Sequence, residues 1–227
     1  MKYDAILIDA DDTLFDFRAA ERAAIGDILT LLGIQDVEAP RIYHEINRAC
    51  WEAFERGELT QKELRVQRFR RFLEHYGCDR DAAQIGERYT QSLSQQSFLL
   101  PGALETVREI AQKRPVVVVT NGISSVQRSR MDASPLKQYI HSMVVSGEIG
   151  VQKPDPRMLY EALSRLGNLP AERALMVGDS LTSDVLAANR AGVDACWYNP
   201  EQKPLREGFH VRYEIRDIRA LTEIALG

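Results

Sequence analysis

Short runs rich in Val and Ile recur along this chain, and their spacing limits the fold more than any other feature. They are "AILI" (5–8), "VVVV" (116–119), "MVV" (143–145), "ALMV" (174–177) and "ACWY" (195–198), with "RYEI" (212–215) a weaker sixth. Continuous apolar runs this short read as parallel strands buried on both faces. Helical patterns separate the later runs, at 102–113, 124–133, 155–167, 182–191 and 217–226. Strand alternating with helix predicts a doubly wound, parallel α/β sheet.

One interval breaks the rhythm. A crossover between parallel strands needs roughly a dozen residues, yet about a hundred separate the first run from the second. That interval has helical patterning and no convincing strand. A helix is expected over 39–56, ending at Gly57. The next begins after Thr60, where Thr60 and Glu63 form a T-x-x-E capping box. The expected organisation is a Rossmann-like core from 1–16 and 98–227, interrupted by an all-helical domain over 17–97.

Composition excludes several function classes. The hydrophobic fraction of 44% and charged fraction of 27% are those of an ordinary globular protein. A net charge of −4 gives no general attraction to polynucleotides or anionic membranes. The apolar stretch in "MKYDAILIDADD" is too short for a signal peptide or a membrane span. Cys50, Cys78 and Cys196 are far apart and form no CxxC or zinc spacing. Reduced thiols and a cytoplasmic location are the expectation.

The polar residues gather where an open α/β sheet binds ligands, beyond the carboxyl ends of its strands. The first run delivers Asp9, with Asp11 two residues on. "VVVV" delivers Thr120, Asn121 and Gly122, and "ALMV" delivers Gly178, Asp179 and, five residues later, Asp184. Lys153 lies in "GVQKPDP", after the "MVV" run. In a parallel sheet these residues share one edge. Clustered carboxylates raise one another's pKa, and a hard divalent ion such as Mg²⁺ would offset their repulsion. A metal, a lysine and small donors beside a free carboxylate suit phosphoryl transfer through an aspartyl-phosphate.

"DADDT", "VVVVTN", "QKPDP" and "VGDSLTSD" resemble, in type, order and spacing, the four motifs of the haloacid dehalogenase-like hydrolase superfamily. The insert directly after the first motif is similar to the helical cap of its phosphoglycolate-phosphatase-like branch. The resemblance implies Asp9 as nucleophile and metal ligand, and Asp11 as general acid and base whose carbonyl binds the metal. It implies Thr120 and Asn121 as holders of the transferring phosphoryl group and Lys153 as neutraliser of nucleophile and phosphate. Asp179 is implied as a Mg²⁺ ligand, and Asp184 as support for the metal's waters or for Lys153. Asp11, absent from the metal-free dehalogenases of the superfamily, implies phosphate chemistry.

A finer resemblance is to the pyrimidine 5′-nucleotidases that act on unusual nucleoside monophosphates. It rests on "DDTLFDF", on "NRACWEAFERGELTQKELRVQRF" and on "NRAGVDACWYNP". The implied substrate is a nucleoside monophosphate whose base sits under the cap. Candidate cap contacts are Asn47, Trp51 and Arg68, with Phe17 at the hinge. Asn47 and Trp51 are four apart on one helix face, and Asn is a poor choice within a helix. Trp51 serves equally as a core residue.

Several other readings compete. "GDSL" (178–181) spells a serine-esterase signature, but no histidine has an Asp three residues before it. "DADDTLFDF" lacks the Gly and the Glu of a calcium loop. The arginines of "LRVQRFRRF" spread around a helix, as a solvated face does. A phospho-signalling receiver clusters similar groups but has no helical insert. A sugar-phosphate phosphatase or phosphomutase shares all the core motifs. The sequence leaves monomer or homodimer open.

Overall fold

The computed structural model describes residues 2–227. The chain divides into two compact units, a sheet unit and a helical unit.

The sheet unit comprises the chain up to Asp16, Leu99–Ser124 and Met131 onward. Its strands are β1 (Ala5–Ile8), β2 (Val116–Thr120), β3 (Ser142–Val145), β4 (Ala174–Gly178), β5 (Asp194–Tyr198) and β6 (Tyr213–Ile215). All the pairings among these strands are parallel, in the order β3-β2-β1-β4-β5-β6. β1 therefore lies inside the sheet, with Ile8 opposite Val118 of β2 and Val177 of β4. That register sets Thr120 at the last position of β2, with Asp9 and Asp179 just past the ends of β1 and β4.

Each strand feeds two cores, because successive side chains point to opposite faces. Ile6, Ile8, Val116, Val118 and Val177 pack on one face. Leu7, Val117, Val119, Met176 and Trp197 pack on the other. This double burial is why the runs read as continuous apolar stretches and not as alternation.

The connecting helices are α5 (Ala103–Ala111), α6 (Ser124–Ala133), α7 (Ser146–Ile149), α8 (Arg157–Ser164), α9 (Leu186–Ala191) and α10 (Leu221–Leu226). The helix expected over 182–191 is in fact two elements. A π-turn over Leu181–Val185 precedes α9. The segment expected helical over 217–226 likewise opens with a 3₁₀ turn, Ile218–Ala220.

The helical unit comprises Phe17–Phe98 together with Ser125–Arg130. The second piece was not expected from sequence: the middle of α6 packs with this unit. Arg130 is fully buried there, and its Nε donates to the Gln96 carbonyl at 2.8 Å.

The long helices of this unit are α1 (Phe17–Leu32), α2 (Ala39–Glu55), α3 (Gln61–His75) and α4 (Ala82–Ser94). α2 stops two residues before Gly57, whose φ of +75° suits a residue without a Cβ. α3 starts at the capping box: Thr60 accepts from the Glu63 N–H, and Glu63 accepts from the Thr60 N–H. Asp81 caps α4 by accepting from the Ala83 N–H at 2.8 Å. Tyr43, Phe69, Phe72 and Tyr89 make the aromatic centre, with ring centroids 5.1 to 5.5 Å apart where they touch. Among the described residues, no helix is long and apolar enough to cross a membrane.

Candidate active site

The C-terminal edge of the sheet builds the site from the ends of β1, β2 and β4 and the loop after α7 that carries Lys153. β1 ends one residue before Asp9, whose N–H continues the ladder to the Val177 carbonyl at 2.9 Å. The chain then turns sharply, with the Leu14 and Phe15 N–H groups both donating to the Ala10 carbonyl at 2.9 and 2.8 Å. Asp12 takes a left-handed φ of +56° within this turn, a conformation Asp tolerates better than most residues. Asp11 sits in this turn, close enough for its charge to raise the pKa of Asp9.

Lys153 organises the floor of the site. It is 1% exposed, and its Nζ donates to Asp9 Oδ1 at 2.5 Å, Asp184 Oδ1 at 2.7 Å and the Val119 carbonyl at 2.6 Å. An ammonium has three N–H bonds, so this one is fully spent. Burial works against its charge, but Asp184 and Asp9 more than offset that, and its pKa is raised.

Asn121 fixes the Lys153 backbone. Its Nδ2 donates to the Lys153 carbonyl and its Oδ1 accepts from the Lys153 N–H, both at 2.8 Å. Its side chain thereby holds the lysine loop against the end of β2. Thr120, 1% exposed at the end of β2, accepts from the Gly122 N–H at 3.0 Å. Its own O–H then remains a donor at the strand end.

Asp9, Asp179 and Asp184 bring one carboxylate oxygen each to within 4.8 Å of one another. Such oxygens suit a hard divalent cation. The electrostatics agree with that fit. Burial pushes Asp9 up to about 7, with Asp184 and Asp11 adding to the rise and Lys153 opposing it. Asp179 is raised well above the ordinary carboxylate range by desolvation, then by Asp184, Asp9 and Asp12. Clustered acids held this far up lack positive charge, which a cation would supply.

Asp184 owes its place to the π-turn. The Val185 N–H reaches back five residues to the Ser180 carbonyl at 3.1 Å. Asp184 thereby turns inward, accepting from Lys153 on one oxygen and from the Ser180 N–H on the other at 3.0 Å. Gly178 makes room for it, since a Cβ there would overlap the Asp184 carboxylate.

The predicted site residues thus fall into two groups. Asp9, Asp11, Thr120, Asn121, Lys153, Asp179 and Asp184 gather at the sheet edge. Phe17, Asn47, Trp51 and Arg68 belong to the helical unit. Asn47 is buried, its Nδ2 donating to Glu21 Oε1 at 2.6 Å and its Oδ1 accepting from Arg68 Nη1 at 3.1 Å. Arg68 is 1% exposed and lies 4.7 Å from the Tyr89 ring centroid. Its Nε and Nη2 have no hydrogen-bond partner among the described residues. Trp51 is half-buried and packs edge-on against Phe54, 5.5 Å between centroids. Phe17 opens α1, also half-buried. Glu21, the buried carboxyl side chain of this network, was missed from sequence because a single Glu in an amphipathic helix carries no local signal.

Comparison with known proteins places these groups in context. A family model described as a haloacid dehalogenase-like hydrolase matches residues 3–192. The HAD-hydrolase YfnB of Bacillus subtilis is 34% identical, over 98% of this chain and 95% of its own. Its crystal structure, bound to magnesium, matches with a TM-score of 0.94 at 33% identity over 100% of both chains. The pyrimidine 5′-nucleotidase PynA of Streptococcus pneumoniae is 33% identical over 98% of this chain and 95% of its own. The pyrimidine 5′-nucleotidase YjjG of Escherichia coli is 29% identical over 99% and 98%.

Proposed function

The chain belongs to the haloacid dehalogenase-like hydrolase family, and from that membership and the geometry of its carboxylates we propose a Mg²⁺-dependent nucleoside 5′-monophosphate phosphatase. The observation that carries the chemistry is Asp9 at a buried strand end, 2.5 Å from Lys153 Nζ and grouped with Asp179 and Asp184. The nucleotide preference is supported by the pyrimidine 5′-nucleotidases at 33% and 29% identity.

In this reading Asp9 attacks phosphorus. The P–O bond to the nucleoside breaks and Asp11 gives its proton to the leaving alkoxide. Asp11 then takes a proton from water, which displaces the phosphoryl group from Asp9 and frees inorganic phosphate. Lys153 stays protonated, opposes the burial-driven rise in the Asp9 pKa and aims its carboxylate. Thr120 donates its O–H to a phosphoryl oxygen. Asp9, the Asp11 carbonyl and Asp179 would hold Mg²⁺, with Asp184 behind them, and the ion would supply positive charge to the phosphoryl oxygens. We assign nucleoside reading to the helical unit. There Arg68 has an unused N–H edge and Trp51 a half-buried ring, with Phe17 a further candidate. Asn47 is reassigned from contact to support, because it bridges Arg68 and Glu21.

The test is phosphate release from a panel of nucleoside monophosphates and sugar phosphates with Mg²⁺, for the wild type and Asp9→Asn. Nucleoside monophosphates should lead the panel. Asp9→Asn should lose several orders of magnitude, as when one member of a cooperating catalytic set is removed. Near-normal turnover by that variant overturns the mechanism. Sugar phosphates leading the panel, or phosphoryl transfer to a sugar, would favour the phosphatase or mutase alternative. A long-lived aspartyl-phosphate would favour a signalling role.

A further inference from the structure

We propose that Trp197 is a positioning residue for cation binding: its indole N–H locks the peptide that follows Asp179 and so aims that carboxylate. The proposal rests on Asp179 as a cation ligand, and it adds a residue no motif of the site contains.

The argument starts at the end of β4. Gly178 is its last residue and pairs in register with Trp197 of β5. Asp179 lies one residue beyond the paired ladder, so its carbonyl needs a partner from elsewhere. Trp197 supplies it: Nε1 donates to the Asp179 oxygen at 2.8 Å. The ring is 1% exposed and belongs to the close-packed apolar core on that face of the sheet, so it cannot swing away.

The same peptide is held from its other side. The Asp179 carbonyl and the Ser180 N–H belong to one planar unit, and the Ser180 N–H donates to Asp184 Oδ2 at 3.0 Å. One bond comes from a neighbouring strand and the other from the π-turn. Together they fix ψ of Asp179 and φ of Ser180, and with them the direction in which the Asp179 carboxylate leaves the backbone. Losing the indole bond leaves that plane held at one end only. The carboxylate then has freedom that a cation must remove on binding. Outer partners of metal ligands typically matter by about 10–100-fold in affinity.

The test replaces Trp197 with β-(3-benzothienyl)alanine, which substitutes sulfur for the N–H and keeps the ring shape. Trp197→Phe is a second variant that is simpler to make. Mg²⁺ alone is titrated into the full chain by calorimetry, without substrate, and Tm is measured without and with the metal. The expected result is Mg²⁺ affinity weakened about 10-fold or more, with the metal-free Tm of the isostere close to wild type. Mg²⁺ affinity within about 2-fold of wild type would overturn the proposal, whatever happens to Tm, because a purely structural ring would move Tm alone. Failure of wild type itself to bind Mg²⁺ would instead sink the underlying reading of the carboxylates. The two failures are therefore separable.

Discussion

Lys153 in the sheet unit and Arg68 in the helical unit are equally hidden, each 1% exposed, yet their surroundings differ. Lys153 spends every N–H, two on carboxylates and one on a backbone carbonyl. Arg68 makes no hydrogen bond to a carboxylate among the described residues. It reaches Glu21 only through Asn47, and one edge of its guanidinium finds no acceptor among the described residues. The difference follows from what holds each cation. Strand ends bring acceptors from distant parts of the chain to a point, while helix faces offer mainly side chains. A closed ion cluster makes rigid electrostatics, and a half-satisfied buried donor keeps capacity for a guest.

The most damaging way to break this comparison is to remove Lys153. Lys153→Met should cost about 3–5 kcal/mol, because it strands Asp9 and Asp184 without their cation. Urea unfolding in metal-free buffer measures it, and a loss under about 1 kcal/mol would mean the cluster is not held by the lysine. Arg68→Met should cost less, about 1–3 kcal/mol, since it leaves only the Asn47 oxygen newly unpaired. It should also raise KM for nucleoside monophosphates while sparing p-nitrophenyl phosphate. A stability loss equal to that of Lys153→Met would erase the contrast between the units.

A third measurement sharpens the electrostatic side. Asp9 is pushed up to about 7, principally by burial. A raised carboxyl pKa stabilises the fold fully below its unfolded value near ~4, and that contribution is lost as pH rises toward the folded value. Metal-free protein should therefore lose stability across this window. Mg²⁺ should restore it, so the gain in Tm on adding metal should grow by a few degrees between about pH 5.5 and about pH 8. A metal-induced gain independent of pH would contradict the raised Asp9. The smallest expected effect lies far from either cation. Thr60→Ala removes the capping box of α3 and should cost ~1 kcal/mol in urea unfolding, with turnover of p-nitrophenyl phosphate unchanged.

Much of the sheet edge was legible because the signals are local. Each apolar run ends on its polar residue, so placing the strands places Asp9, Thr120 and Asp179 as well. The capping box at Thr60 and the glycine at Gly57 are equally local, and α2 and α3 begin and end close to where those residues put them. The helical unit was legible only in outline. Its aromatic and polar centre draws on four helices, and amphipathic spacing tells which face is inward but not which partner waits there.

The sequence by itself determined the strand rhythm, the inserted helices and the order of the chemical groups, because periods of two and of about 3.6 residues are written into neighbouring positions. Tertiary structure alone decided who holds whom. Asn121 grips the backbone of Lys153, 32 residues away in sequence, and Lys153 reaches Asp9 across 144. Ser125–Arg130 leaves the sheet unit for the helical one, and a π-turn replaces the expected start of a helix to bring Asp184 inward. Such pairings depend on strand order, register and the space a Gly178 leaves open, and those quantities exist only once distant segments are packed together.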